Sequence, residues 1–287
     1  MSRARIAPSG KVVLITGAGQ GIGAAVARRL VGQGAAVALV DVNADALEST
    51  ANALASERVL TVQADVRQLD SMVAAVRKVN ERFGPIDIVV ANAGITPPPA
   101  TLRTVDPDDF GRVIDVNLLG VFNTARACVE DVIATRGHIQ VIGSCAAFAP
   151  GMGGSAYMIS KAGVEQLGRA LDIELSAHHA SAGISYFGIV ETSLARATLD
   201  DDELGKEIGA QLPWPLNRRI SADDAAEVIV DAIVTRRART IAPRSWNLYA
   251  ALRGVINPAL DNRLHKDRKV RDIILRLEGR AREKVES

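Results

Sequence analysis

At 287 residues, 48% of them apolar and 23% charged, the chain has enough hydrophobic surface for a full core and excludes a disordered or fibrous class. With 34 basic and 33 acidic residues its formal charge is +1, and aromatics make up only 3%, so neither a phosphate-binding field nor a base-stacking surface is available and no nucleic-acid partner is expected. Two cysteines, Cys128 and Cys145, without a CxxC or a histidine cluster, argue against a disulfide scaffold or a metal site.

The basic opening "MSRARIAPSGK" leads into about five apolar residues, too few for a signal-peptide core. No apolar run approaches the roughly 20 residues needed to span a bilayer. A cytoplasmic location is expected, and membrane contact is not.

In chain order, short Val- and Ile-rich runs alternate with longer helical patterns. Strands are predicted at 11–16, 35–41, 59–65, 86–94, 138–144 and 183–190, with a seventh near 238–243. Their apolar residues do not alternate with polar ones, the pattern of strands buried on both faces. Helices are predicted over 21–33, 43–55, 68–82, 107–134 and 155–179. This order implies an α/β fold, a Rossmann-type doubly wound parallel sheet of about seven strands in a single domain. Residues 1–243 form the sheet-bearing unit on this reading, and 244–287 a helical C-terminal extension of the same domain.

Residues 191–220 interrupt the alternation. They hold Trp214 between Pro213 and Pro215, preceded by an acidic "LDDDELGKE" stretch that can form a short helix. The segment should lie outside the carboxyl ends of the strands, where ligands bind in such sheets. In the tail, Val270, Ile273, Ile274 and Leu277 recur at helical spacing and predict an amphipathic helix. Residues 253–287 contain ten Lys or Arg against six Asp or Glu, a local excess of four positive charges.

Between the first strand and first helix stands "TGAGQGIG", 16–23. Gly17 permits a tight turn, Gly21 lets backbone approach a pyrophosphate, and Gly23 allows close helix–strand packing. The helix N-terminus offers N–H donors and positive dipole to the phosphates. Asp41 ends the second strand. A carboxylate there takes both hydroxyls of an adenosine ribose and repels a 2′-phosphate. Neither Gln20 nor Val42 nor Asn43 offers a cation for that phosphate, so NAD(H) is expected over NADP(H); a helix cap is the other reading of Asp41.

Tyr157 and Lys161 lie one helical turn apart among small neighbours, Ser155, Ala156 and Ser160. A phenol titrates near ~10, and an adjacent ammonium favours its ionised form. Val164, Leu167, Leu171 and Leu175 continue the helix as a core stripe.

With the glycine loop, Asp41, Asn92-Ala93-Gly94 and the Tyr157–Lys161 pair in this order, residues 9–243 resemble the compact branch of the short-chain dehydrogenase/reductase family. The resemblance implies that Tyr157 is the general acid/base and that Lys161 lowers its pKa and binds the nicotinamide ribose. It makes Ser144 the group that holds the substrate oxygen. Asn117, in "DVNLLG", kinks a helix and holds a relay water. Gly17, Gln20, Gly21, Ile22 and Gly23 form the phosphate loop, Asp65 and Val66 contact adenine, Asn92 and Gly94 border the cofactor, and Val190 and Thr192 hold the carboxamide. The chain departs from the family at Phe187-Gly188, where Pro-Gly is usual, and in its long tail after Pro243.

The expected activity is an NAD(H)-dependent, metal-free interconversion of a secondary alcohol and a ketone on a lipophilic or cyclic substrate. Phe148, Met152, Phe187 and Trp214 are expected to line an apolar pocket, beside a stiff Pro97-Pro98-Pro99 loop. The four-residue Tyr–Lys spacing argues against an enoyl reductase. A homo-oligomer, tetramer or dimer, is expected. Two alternatives stay open: an NADP(H)-linked ketoreductase on acyl thioesters, and an NAD(H)-binding sensor or scaffold without turnover. The tail helix packs on its own domain or a neighbouring subunit, caps the cleft, or touches a membrane.

Overall fold

Seven parallel strands in the order β3-β2-β1-β4-β5-β6-β9 make the central sheet of the computed structural model, which describes residues 4–286. They are β1 (Val12–Thr16), β2 (Ala36–Asp41), β3 (Val59–Gln63), β4 (Ile88–Ala91), β5 (His138–Ser144), β6 (Ser181–Phe187) and, after the short β7 (Ile189–Glu191) and β8 (Arg219–Ser221), β9 (Arg239–Ala242). Strand order reverses at β1, whose Val13 pairs with Val37 of β2 on one side and Ile88 of β4 on the other. Helices leave the two strands in opposite directions there, opening a crevice at their carboxyl ends.

The helices are α1 (Gly21–Gly32), α2 (Ala44–Leu54), α3 (Leu69–Phe83), α4 (Pro107–Ile114), α5 (Gly120–Ala134), α6 (Ser155–Ser176), α7 (Ser193–Leu199), α8 (Glu203–Gly209), α9 (Ala222–Thr235), α10 (Trp246–Lys266) and α11 (Arg268–Glu286). Alternate strand residues feed two cores. Val13, Ile15, Val37 and Leu39 pack with Val26 and Leu30 of α1 and Ile229 and Ile233 of α9. Leu14, Ala38, Val89 and Val141 pack with Met72 of α3, Cys128 of α5 and Val164 of α6. Each fully buried Val, Leu or Ile contributes roughly 1.5–3 kcal/mol, which explains the runs of apolar residues in β1, β2 and β4; β3, at the sheet edge, buries only Val62.

Two expected elements are divided. The helix expected over 107–134 is interrupted at Asp115–Leu119 by a π-helical turn that separates α4 from α5. The strand expected over 183–190 breaks at Gly188, where a Cβ would meet Trp246 Nε1 at 2.7 Å. Beyond that close approach, β7 leaves the main sheet and pairs with β8 in a parallel two-stranded ribbon.

The acidic stretch does form a short helix, α8, capped by Asp202, which accepts from Gly205 N at 2.7 Å. In the tail, Trp246, Tyr249 and Ala250 of α10 pack on Phe148 and Tyr186. Arg253 of α10 reaches Glu165 of α6 through two hydrogen bonds of 2.9 and 2.7 Å. The amphipathic helix is α11, which buries Val270, Ile273 and Leu277, the last two against Leu204 of α8.

Candidate active site

The glycine loop is shaped by backbone contact. A Cβ on Gly23 would lie 2.2 Å from Gly17 O, and one on Gly17 would lie 2.9 Å from Ala93 Cα. Gly17 also has φ +65°, a conformation open to glycine. The loop is thereby pressed against the residues after β4. Asn92 Nδ2 donates to Thr16 O (3.0 Å) and Gly17 O (3.1 Å), while Thr16 Oγ1 accepts from Asn92 N (3.1 Å) and Ala93 N (3.2 Å). Thr16 was not among the expected site residues; its hydroxyl ties together the two strand ends that flank the crevice. Its only sequence signal is its place directly before Gly17.

Asp41 Oδ2 accepts from Gly19 N at 3.1 Å and Oδ1 from Asn43 N at 3.1 Å. Each carboxylate oxygen keeps a lone pair free for another donor. Across the mouth of the loop, Ser193 Oγ donates to Gln20 Oε1 at 2.9 Å, and Thr192 caps α7 by accepting from Ala195 N at 3.3 Å. The Thr192 methyl faces Gly21, 3.5 Å from where its Cβ would be. Ile22 and Val190 pack in the core beneath this edge.

Further along the sheet, Arg67 holds Asp65 through Nε–Oδ2 (2.9 Å) and Nη2–Oδ2 (2.6 Å). The guanidinium keeps that carboxyl below its usual range, against the opposing effect of partial burial. Val66 is buried, and its carbonyl accepts from Asn123 Nδ2 at 2.9 Å.

Ser144 ends β5, and α6 begins eleven residues on, so its first turn faces the strand end. The Ser144 hydroxyl lies close enough to the Tyr157 phenol to act on its titration. Burial pushes the phenol above its ordinary value, the Ser144 hydroxyl pulls it down, and the neighbouring Cys145 adds to the rise. The expected lowering by Lys161 does not set the balance in this structure: desolvation does. Lys161 is 5% exposed, and burial lowers its ammonium to about 8. Its Nζ donates to Ile142 O at 3.0 Å.

Asn117 lies in the π turn and is fully buried. Its Oδ1 accepts from Ile95 N at 2.7 Å; its Nδ2 donates to Ile95 O at 2.9 Å and to Ser160 Oγ at 3.2 Å. Both amide hydrogens are therefore used, and only the second Oδ1 lone pair is left for a water. Ser160 Oγ donates in turn to Tyr157 O at 2.8 Å. A Cβ on Gly94 would come within 3.4 Å of Asn117 Oδ1 and 3.7 Å of Lys161 Nζ, so this glycine packs over both. Cys145 is buried and its thiol pKa is raised by that burial, which keeps it a protonated packing group.

The expected apolar pocket is arranged differently. Phe148 is buried in an aromatic cluster, its ring centre 5.5 Å from that of Tyr186 and 6.2 Å from that of Trp246, because α10 covers it. Phe187, one residue beyond Tyr186 on β6, is directed to the opposite face of the sheet and packs with Val190 in the core. Trp214 is 83% exposed. Met152 is half-buried against Leu204, Ile208, Ile273 and Leu277 at the rim.

That rim is stitched by α11. Arg280 donates to Pro99 O at 2.6 Å and pairs with Asp202 at 2.5 Å. Glu278 pairs with Arg103 at 2.8 Å, and Arg276 Nη1 with Glu207 Oε1 at 2.8 Å. One helix thus joins the loop after β4 to the segment after β7, beside the loop after β5.

The family model described as short chain dehydrogenase matches residues 11–203. The chain is 34% identical over 209 residues to 2-(R)-hydroxypropyl-CoM dehydrogenase of Xanthobacter autotrophicus, covering 71% of this chain and 84% of that one. It is 32% identical over 251 residues to (-)-trans-carveol dehydrogenase of Rhodococcus erythropolis, covering 77% and 91%. Its fold matches the crystal structure of 3-ketoacyl-(acyl-carrier-protein) reductase from Brucella melitensis complexed with NADH, with a TM-score of 0.72 and 27% identity over 83% of this chain and 99% of that one.

Proposed function

The chain belongs to the short-chain dehydrogenase family of oxidoreductases, and from that premise we propose that it is an NAD(H)-dependent enzyme interconverting a secondary alcohol and a ketone on a lipophilic or cyclic substrate. The observation that carries this reading is the Tyr157 phenol beside the Ser144 hydroxyl, backed by a buried Lys161 one turn along α6 whose Nζ lies 5.8 Å from the ring centre. The (-)-trans-carveol relative, whose name is that of a cyclic alcohol, supports the substrate class.

The residues around the crevice suit a dinucleotide. The Gly17–Gly23 turn and the N-terminus of α1 receive the pyrophosphate. Asp41 takes the adenosine ribose hydroxyls, Asp65 and Val66 border the adenine, and Thr192 and Val190 hold the carboxamide end. Bound there, NAD supplies the hydride acceptor. Ser144 Oγ donates to the substrate oxygen and positions it. Tyr157 removes the hydroxyl proton as the carbonyl forms, and returns one in the reductive direction. Lys161 holds positive charge behind the developing phenolate. Asn117, with one lone pair left, accepts a hydrogen bond from the water that links Lys161 to solvent.

The exposed side chains Phe122 on α5 and Ile159 and Ile173 on α6 favour a homo-oligomer built through those two helices. The test of the whole reading is Tyr157→Phe, assayed by NADH formation from a panel of cyclic secondary alcohols. Turnover should fall at least ~100-fold with NADH binding retained; a variant as active as wild type contradicts the reading.

A further inference from the structure

Helix α10 has two apolar faces. One, with Trp246, Tyr249 and Ala250, is buried on Phe148 and Tyr186. The other carries Leu248, Leu252 and Val255, which are 69%, 46% and 78% exposed. Their i, i+4, i+7 spacing sets them in one line along the helix, and exposed Ala259 extends it by a turn. Trp214, exposed, belongs to the turn beside the start of this helix: the next residue, Pro215, accepts through its carbonyl from Ser245 Oγ at 3.1 Å. A group of apolar side chains on one element differs from the single exposed residues that need no explanation.

The charged side chains along this line are mostly cations. Lys266 continues the same side of the helix, and Arg263, Arg268 and Lys269 are exposed next to it. Among the described residues none of these four is in an ion pair. The acid between them, Asp267, is engaged in capping α11 by accepting from Lys269 N at 2.8 Å.

We infer that this face of α10, with Trp214, docks on an anionic lipid surface. The apolar line enters the boundary between headgroups and acyl chains, and the cations meet the lipid phosphates. Contact is peripheral, since no helix among the described residues is long and apolar enough to cross a membrane. A second copy of the chain suits the face less well. Four small or medium side chains over about 16 Å of helix fall far short of the ~800 Å² per partner of a stable interface, and a two-fold axis sets the same cations on both sides.

Docking has a consequence for the site. Asn257 of α10 donates to Phe148 O at 3.0 Å, in the loop that follows Ser144. A lipid-bound α10 therefore sets that loop about 10 Å, one helix diameter, from the bilayer in which lipophilic alcohols partition. This consequence rests on the proposed function; the docking itself does not.

The test is co-sedimentation of the full-length protein with phosphatidylcholine vesicles, with and without phosphatidylglycerol, at low and high salt. Binding is expected on the anionic vesicles and should weaken with salt. Leu248→Gln/Leu252→Gln/Val255→Gln should lower partitioning at least about tenfold, and Lys266→Gln/Lys269→Gln by about tenfold or more, with NADH titration unchanged in both. Should the triple variant not fold, Trp214→Gln serves: the blue shift of tryptophan emission on anionic vesicles should be lost. Absence of binding to both vesicle types, or equal binding to neutral ones, overturns the inference. So does a triple variant that runs as a smaller assembly while wild type ignores vesicles. Because the NADH titration is read separately, failure of the dehydrogenase reading and failure of docking are distinguishable.

Discussion

Lys161 Nζ lies 5.8 Å from the centre of the Tyr157 ring and has Ile142 O as its hydrogen-bond acceptor. Burial depresses this lysine from 10.5 to about 8. Its proton is therefore bound more readily in the unfolded chain than in the fold between those two values. Stability from this group is complete above 10.5 and is lost as pH falls through about 8. Lys161→Met, which keeps volume and removes the charge, should melt higher than wild type at pH 7. The gain should be no more than about 3 kcal/mol, reduced by roughly 1 kcal/mol for the lost Ile142 bond. It should also flatten the rise in melting temperature with pH. Calorimetry across this range checks both; a lower melting point in the variant contradicts the account.

Ser144 is the one neighbour that pulls the Tyr157 phenol down. Removing its hydroxyl leaves burial and Cys145 unopposed. Ser144→Ala should shift the acid limb of kcat/KM for alcohol oxidation, where turnover falls as the phenol gains its proton, to higher pH, with kcat lowered about 100-fold. A limb that stays in place would show that Ser144 does not act on the phenol.

Gly23 stands in the first turn of α1 and Gly32 ends it, but the two face different surroundings. A Cβ on Gly23 would clash with Gly17 O, while nothing lies within 4 Å of one on Gly32. Gly23→Ala should cost about 1–3 kcal/mol and weaken nucleotide binding. Gly32→Ala should be neutral or stabilising by up to about 1 kcal/mol. Thermal melts of the two variants, with and without NADH, separate local packing from helix propensity.

Arg280 and Glu278 hold the segments on either side of the rim to α11. Arg280→Ala/Glu278→Gln should raise KM for a bulky alcohol several-fold, leave NADH binding intact, and speed proteolysis within 193–212. Exposed ion pairs are worth little singly, about 0–1 kcal/mol, so global stability should change little. Unchanged KM and cleavage would leave α11 a packing element alone.

Much of this was readable along the chain because physics acts locally there. Strands buried on both faces are rich in Val and Ile without alternation, as in β1, β2 and β4, so their extents and the ending at Asp41 could be traced. β5 and β6 instead carry buried polar residues such as His138, Gln140 and Ser185 that hydrogen-bond to one another or to neighbours. α11 has one apolar side, and its period shows. α10 has apolar residues on opposite sides, so no single stripe marks it. The π turn at Asn117 depends on Ile95, 22 residues away, and a break at Gly188 depends on Trp246. Phe148 and Phe187 belong to the core rather than a pocket for the same reason: which ring is covered is decided by α10 and by the side of β6 each residue takes. β7 and β8, three residues each, are too short to carry a period.

The central claim is tested most directly by titrating NADH and NADPH separately into wild type and Asp41→Ala, following nicotinamide fluorescence. Asp41, already accepting from Gly19 and Asn43, is the carboxylate at the end of β2. Tight NADH binding by wild type, weak NADPH binding, and a preference that relaxes in Asp41→Ala is the predicted result. Preference for NADPH, or a ratio that the substitution leaves unchanged, would contradict it.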